Sequence, residues 1–197
     1  MRNQKNRKVK NIPTIQPPQE VMRPEIGIKI LNKLSPLYKK LNKKKTQNKT
    51  TLSKIRKLAR AVLYALSEYR RADYVSKAAK VQWKKSDLSK NKKNDLFNLT
   101  PTWARSSNRK KIYEVLDSLI LEHCNPLSEL ADEFLSLNKT INKNTLKRKL
   151  KTCWIIKNTE NRKLDANGYK NTRPGGWKKC YKTCHIHVVN CKGKSIC

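Results

Sequence analysis

The sequence predicts a mostly α fold with a small β element near its C-terminal end. Two observations carry this expectation. Apolar residues recur at helical spacing over long stretches, most clearly at Leu52, Ile55, Leu58, Ala59, Val62, Leu63, Leu66 and Tyr69. Only two short segments, 153–156 (CWII) and 181–190 (YKTCHIHVVN), read as strands.

Taken in order, residues 1–24 are rich in Lys, Asn and Pro, with Pro13, Pro17, Pro18 and Pro24, and are expected to form a disordered basic arm. A helical basic unit is expected over 25–85. Ile26, Ile30, Leu31, Leu34, Leu37 and Leu41 keep helical spacing, and Ser35-Pro36 divides them into two expected helices. The strongest helix lies within 51–83, with Lys54, Arg56, Lys57 and Arg60 largely opposite its apolar face. Residues 86–105, polar and centred on Lys90-Asn91-Lys92-Lys93-Asn94, are expected to link this unit to a C-terminal domain over 106–197. That domain should open with a helix over 110–123, turning Ile112, Val115, Leu116, Leu119 and Ile120 inward.

The most informative stretch is 125–154, NPLSELADEFLSLNKTINKNTLKRKLKTCW. Asn125-Pro126 is a helix-start signal, followed by Leu127, Leu130, Ala131 and Phe134 on one face. After a polar break at 138–142, a second short helix is expected over about 143–153, with Leu146, Leu150 and Trp154 on its apolar side. Between Glu114 and Glu133 stand six acids (Glu114, Asp117, Glu122, Glu129, Asp132, Glu133) and no Lys or Arg. Between Asn138 and Lys157 stand seven bases and no acid. A surface selected only for solubility mixes its signs. A neutral-to-acidic helix followed by a basic one is the pattern of a helix-turn-helix whose second helix meets a polyanion.

Composition points the same way. The 197 residues carry 47 Lys and Arg against 14 Asp and Glu, a formal net charge of +33. Such self-repulsion calls for a polyanionic partner. Double-stranded DNA is expected first and RNA second, and a homodimer is left open. No apolar run approaches membrane-spanning length, and MRNQKNRKVK has no apolar signal region, so no membrane partner and a cytoplasmic location are expected. A 37% hydrophobic content suffices for a modest core but not for a large enzyme core. Five glycines and no Gly-rich phosphate loop speak against nucleotide-dependent catalysis.

The succession of helices, basic helix, strand, long loop and strand resembles the winged helix-turn-helix superfamily over about 106–190. The resemblance rests on LADEF (130–134), TLKRKL (145–150), WII (154–156) and HIHVV (185–189). It implies a helical unit followed by a winged helix-turn-helix domain with a small β-wing. It also implies sequence-specific binding of duplex DNA, with the second helix in the major groove and the wing on the backbone. Carried over by position, the helix contacts would be Asn142, Lys143, Asn144, Lys147, Arg148 and Lys151. The wing contacts would be Arg162, Lys163, Lys170, Arg173, Lys178 and Lys179. By analogy of architecture, such proteins initiate plasmid or phage replication or regulate transcription.

Cys180, Cys184, His185, His187 and Cys191 form a second constellation, and zinc is the ligand such a set would take. Their spacing is not that of a common zinc knuckle or ribbon, so no cofactor is expected and zinc is kept as the alternative. His185-Ile186-His187 is also similar to the His-hydrophobe-His strand of metal-dependent DNA nickases. No tyrosine follows it, so a non-catalytic protein is expected and a nickase is the alternative.

Overall fold

The computed structural model describes residues 23–43, 48–68, 70–92, 94–100 and 118–197. The fold is mostly helical with one small four-stranded sheet. The elements in chain order are α1 (Pro24–Asn42), α2 (Lys49–Glu68), β1 (Tyr74–Ser76), α3 (Lys77–Lys84), β2 (Leu119–His123), α4 (Leu127–Ser136), α5 (Lys143–Lys149), β3 (Thr152–Ile156), α6 (Arg162–Ala166), α7 (Trp177–Thr183) and β4 (Val188–Asn190).

Helices α1, α2, α4 and α5 enclose one core, with Leu31, Leu63, Leu130, Phe134, Leu135 and Leu150 at its centre. Burying each such side chain stabilises the fold by roughly 1.5–3 kcal/mol. Where two helices were expected over 25–41, α1 runs unbroken with Pro36 inside it. Pro36 is exposed, while Leu31, Ser35 and Tyr38 anchor the helix on either side of it, so packing overrides the lost backbone bond.

The sheet order is β2-β3-β1-β4. β2 and β3 are antiparallel, β1 and β3 parallel, and β1 and β4 antiparallel. The period-two alternation of side chains gives the sheet two buried faces. On one face Val75, Leu119 and Trp154 pack with Ala79, Trp83, Leu88, Leu96 and Leu99. On the other, Cys153, Ile155 and Val188 pack with Leu164, Tyr181 and Cys184 from α6 and α7.

Several expectations change here. Trp154, expected on the helix face with Leu146 and Leu150, lies in β3 and faces the sheet core. The helix expected over 110–123 falls partly outside the described residues, and its end is β2. Within 86–105, expected to be a linker, the described part to 100 buries Leu88, Leu96, Phe97 and Leu99. The expected helical unit and C-terminal domain share structure, since α2 packs on α4 and β1 pairs with both β3 and β4. The strand expected over 181–190 is α7, a turn, and the short β4. Trp177, Cys180, Tyr181 and Cys184 keep i, i+3, i+4, i+7 spacing, and Gly176, at φ 88°, sets the chain direction into the helix. Consequently β3 and β4 do not form a hairpin between them, because β1 lies in the middle.

Two buried polar groups hold the sheet to its surroundings. Glu160, in the π-helical turn Lys157–Asn161, accepts from Ser76 Oγ at 2.6 Å and from the Ile156 N–H at 2.8 Å. Burial raises its carboxyl above the usual range. Ser76 also caps α3, accepting from the Ala79 N–H at 3.0 Å.

Candidate nucleic-acid interface

The α4–α5 pair is an excursion between two adjacent antiparallel strands. Its base is closed where the Cys124 N–H donates to Lys151 O at 2.9 Å and Asn125 Nδ2 donates to Lys149 O at 2.9 Å. Asn142 caps α5, its Oδ1 accepting from the Thr145 N–H at 2.9 Å. The connecting turn is held by one face of α1. Asn32 Nδ2 donates to Ile141 O at 2.9 Å, and Asn32 Oδ1 accepts from the Ile141 N–H at 2.8 Å. Ser35 Oγ donates to Leu135 O at 3.0 Å, and Lys39 Nζ bonds Leu137 O. The i, i+3, i+7 spacing of Asn32, Ser35 and Lys39 places all three on the side facing the turn. Sequence reading did not single out Asn32, because one Asn in a helix carries no signal of a partner 109 residues away.

Ion pairs sort the expected contact residues. Lys143 bonds Glu25 of α1, Lys149 pairs with Glu133 of α4 at 2.8 Å, and Lys151 with Asp73 at 2.8 Å. The Lys143–Glu25 bond holds the Glu25 carboxyl below its usual range. Arg56 of α2 pairs with Asp132 at 2.6 Å. Of the acids expected behind the basic helix, Glu133 ties it to α4, while the tie to α1 comes from Glu25, outside that set. Asn144, Lys147 and Arg148 stay exposed, and Lys147 and Arg148 pair with no carboxylate among the described residues.

Of the expected wing residues, Arg162 and Lys163 lie on α6, Lys170 in the following turn, and Lys178 and Lys179 on α7, all exposed. Arg173 differs: it is 3% exposed, and its Nη2 donates to Glu122 Oε1 at 2.6 Å. Its backbone N–H donates to Glu129 Oε2 at 3.2 Å. A buried guanidinium engaged by a carboxylate is a strut between the 170–176 segment and β2–α4, not a phosphate contact. Burial pushes the Glu122 carboxyl up to about 7, in spite of the attraction of Arg173. The neighbouring His123 points to the opposite face of β2. Ser67 Oγ donates to Tyr64 O at 2.7 Å, so His123 Nε2, 2.8 Å from that oxygen, is the donor of their bond. Burial lowers its imidazole to about 4.

The cysteine and histidine constellation is spread out. Cys180 and Cys184 are buried on α7 and at its C-cap, with Sγ contacts to Pro174 O and Lys163 O, both at 3.6 Å. His185 occupies the turn after α7 at φ 56°, and His187 precedes β4, so the pair does not sit on a strand. Cys191 is exposed in the turn after β4. Among the described residues, no three His, Cys, Asp or Glu side chains are arranged to hold a metal ion. No helix among them is long and apolar enough to cross a membrane. No protein-family model, curated protein or solved structure matches this chain.

Proposed function

We propose that this protein is a cytoplasmic, non-catalytic, sequence-specific binder of double-stranded DNA. In this reading it acts in initiation of plasmid or phage replication or in transcriptional control. The helix pair α4–α5 is its helix-turn-helix, and 157–187 stands where the wing of a winged helix would be. The observation that carries the reading is the sorting of charge around α5. Lys143 and Lys149 pair with acids of α1 and α4, and Lys151, just past the helix, with Asp73, whereas Lys147 and Arg148 are exposed and pair with no carboxylate among the described residues, beside Asn144. A lysine and an arginine next to an asparagine offer one phosphate contact and two side chains suited to guanine and adenine edges. Arg162, Lys163, Lys170, Lys178 and Lys179 add sequence-independent attraction to phosphate.

The test is selection of bound sequences from a random duplex pool at ~150 mM salt, where long-range attraction is largely screened. It is followed by the same selection on Lys147→Ala with Arg148→Ala. A defined site is expected, with the double variant losing about 1–3 kcal/mol on that site beyond the uniform loss it shows on random duplex. Each lost phosphate contact should also flatten the salt dependence by about 0.9. Equal affinity for all duplexes and for structured RNA would sink the reading.

A further inference from the structure

The outer face of the α1–α2 hairpin, on the side away from α4 and α5, is apolar and uncovered among the described residues. The two helices are antiparallel. A Cβ at Gly27 would touch Leu66, and the Arg56 guanidinium lies 5.3 Å from the Tyr38 ring centroid. With Asn32, Ser35 and Lys39 turned to the α4–α5 turn and Leu31 and Tyr38 inward, helical spacing turns Ile26 and Leu37 to the other side of α1, with Ile30 between them half-buried against the core. On α2, Ile55 and Leu66 face α1 and Arg56 faces α4, which turns Leu58, Ala61 and Ala65 to that same outer side. Ile26 is 51%, Leu37 46% and Leu58 49% exposed. From Ile26 to Leu37 the stripe runs for about 16 Å at helical rise. Isolated exposed apolar residues need no explanation, but an aligned stripe on two adjacent helices marks a contact surface.

Charge selects the occupant. Next around α1 from the stripe come Lys29, Lys33 and Lys40, and next around α2 come Lys54 and Lys57, all exposed and none ion-paired among the described residues. The acids of these helices are Glu25, bonded to Lys143, and Glu68 at the far end of α2. We propose that this face docks a protein partner through an acidic amphipathic helix, whose apolar stripe covers Ile26, Leu37 and Leu58 while its carboxylates meet the lysines on both edges. Duplex DNA offers no continuous apolar surface to cover the stripe. A second copy of the chain would bring lysines against lysines at both rims. Helix-in-groove recognition needs this arrangement of anchors within a complementary rim.

The probe is a helical peptide of about 18 residues with leucine at every third and fourth position and glutamate elsewhere. Binding to the full chain is read by fluorescence anisotropy at ~150 mM salt. A composition-matched scrambled peptide serves as the control. The face is altered by Leu37→Ser with Leu58→Ser. The proposal expects the ordered peptide to bind at least about tenfold more tightly than the scrambled one, and the double substitution to remove that margin. Equal binding of both peptides would reduce the effect to polyanion attraction and overturn it. Three other outcomes overturn it as well. A dimer in sedimentation that the double variant dissolves assigns the face to a second copy. Stripe-dependent binding to vesicles of mixed neutral and anionic lipid, without peptide binding, assigns it to a membrane surface. A fall of more than about 15 °C in the melting temperature of the double variant, beyond what two half-buried leucines account for, shows that the chain itself covers the face.

Discussion

Asn32 bears the most direct structural prediction, because one side chain satisfies both backbone polar groups of a buried residue, Ile141. Asn32→Ala removes the donor to Ile141 O and the acceptor for the Ile141 N–H, at 2.9 and 2.8 Å, and Ile141 itself is 1% exposed. A buried backbone group left without a partner costs about 1–3 kcal/mol, so two would cost about 2–6 kcal/mol. Asn32 borders an open groove lined by Ile28, Lys29 and Lys33, through which water can reach the orphaned groups, which moves the sum to its lower end. Alanine also suits a helix interior better than asparagine by about 0.5 kcal/mol. The expected net loss is about 1.5 kcal/mol in denaturant unfolding, roughly a 12-fold fall in the folded-to-unfolded ratio. Amide exchange at Ile141 should accelerate with it, because the turn between α4 and α5 loosens. Asn32→Asp keeps the acceptor and loses the donor, so it should regain stability on acidification, when a protonated carboxyl donates again. A loss below about 0.5 kcal/mol for Asn32→Ala, with unchanged exchange at Ile141, would refute the reasoning.

Glu122 and His123 give opposed pH dependences. Glu122 is raised from 4.5 to about 7, so its contribution is complete below pH 4.5 and is lost as pH rises toward 7; His123 is lowered from 6.5 to about 4, so its contribution is complete above pH 6.5 and is lost as pH falls toward 4. Between pH 4.5 and 6.5 the slopes oppose each other, each at most about 1.4 kcal/mol per pH unit. Glu122→Gln should make stability rise with pH across that window and His123→Asn should make it fall, and parallel curves for both variants and the parent would discard the assignment. Gly27→Ala would place a Cβ 2.7 Å from Leu66 Cδ1. Overpacking of about 1–3 kcal/mol should exceed a helix-propensity gain of about 1 kcal/mol, so thermal denaturation should show a loss in the parent and a gain in a Leu66→Ala background.

Much of the helical half was legible in the sequence. The apolar periodicities of α1, α2 and α4 are local, and each is written within a few residues of where it acts. The 152–156 strand was legible for the same reason, as a short apolar run of β-prone residues. The apolar run at 184–189 was misleading because it straddles a helix end and a strand start, where neither period completes a cycle. The charge contrast between 114–133 and 138–157 was visible, but its meaning was not. Only the tertiary structure shows that Glu133 and Glu25 hold Lys149 and Lys143 while Lys147 and Arg148 stay free of such pairs among the described residues.

By itself, then, the sequence determined what depends on near neighbours: the helical character of α1, α2 and α4, where the basic helix begins, and that the whole carries +33. The tertiary structure alone decided which residues serve the fold and which face outward. It placed β1 between β3 and β4, buried Arg173 against Glu122, and set Asn32 on Ile141. Each of these is a partnership across 50 to more than 100 residues. Its energy comes from a contact that offsets the cost of desolvating two distant groups, and neither group carries a mark of the other in its own stretch of chain.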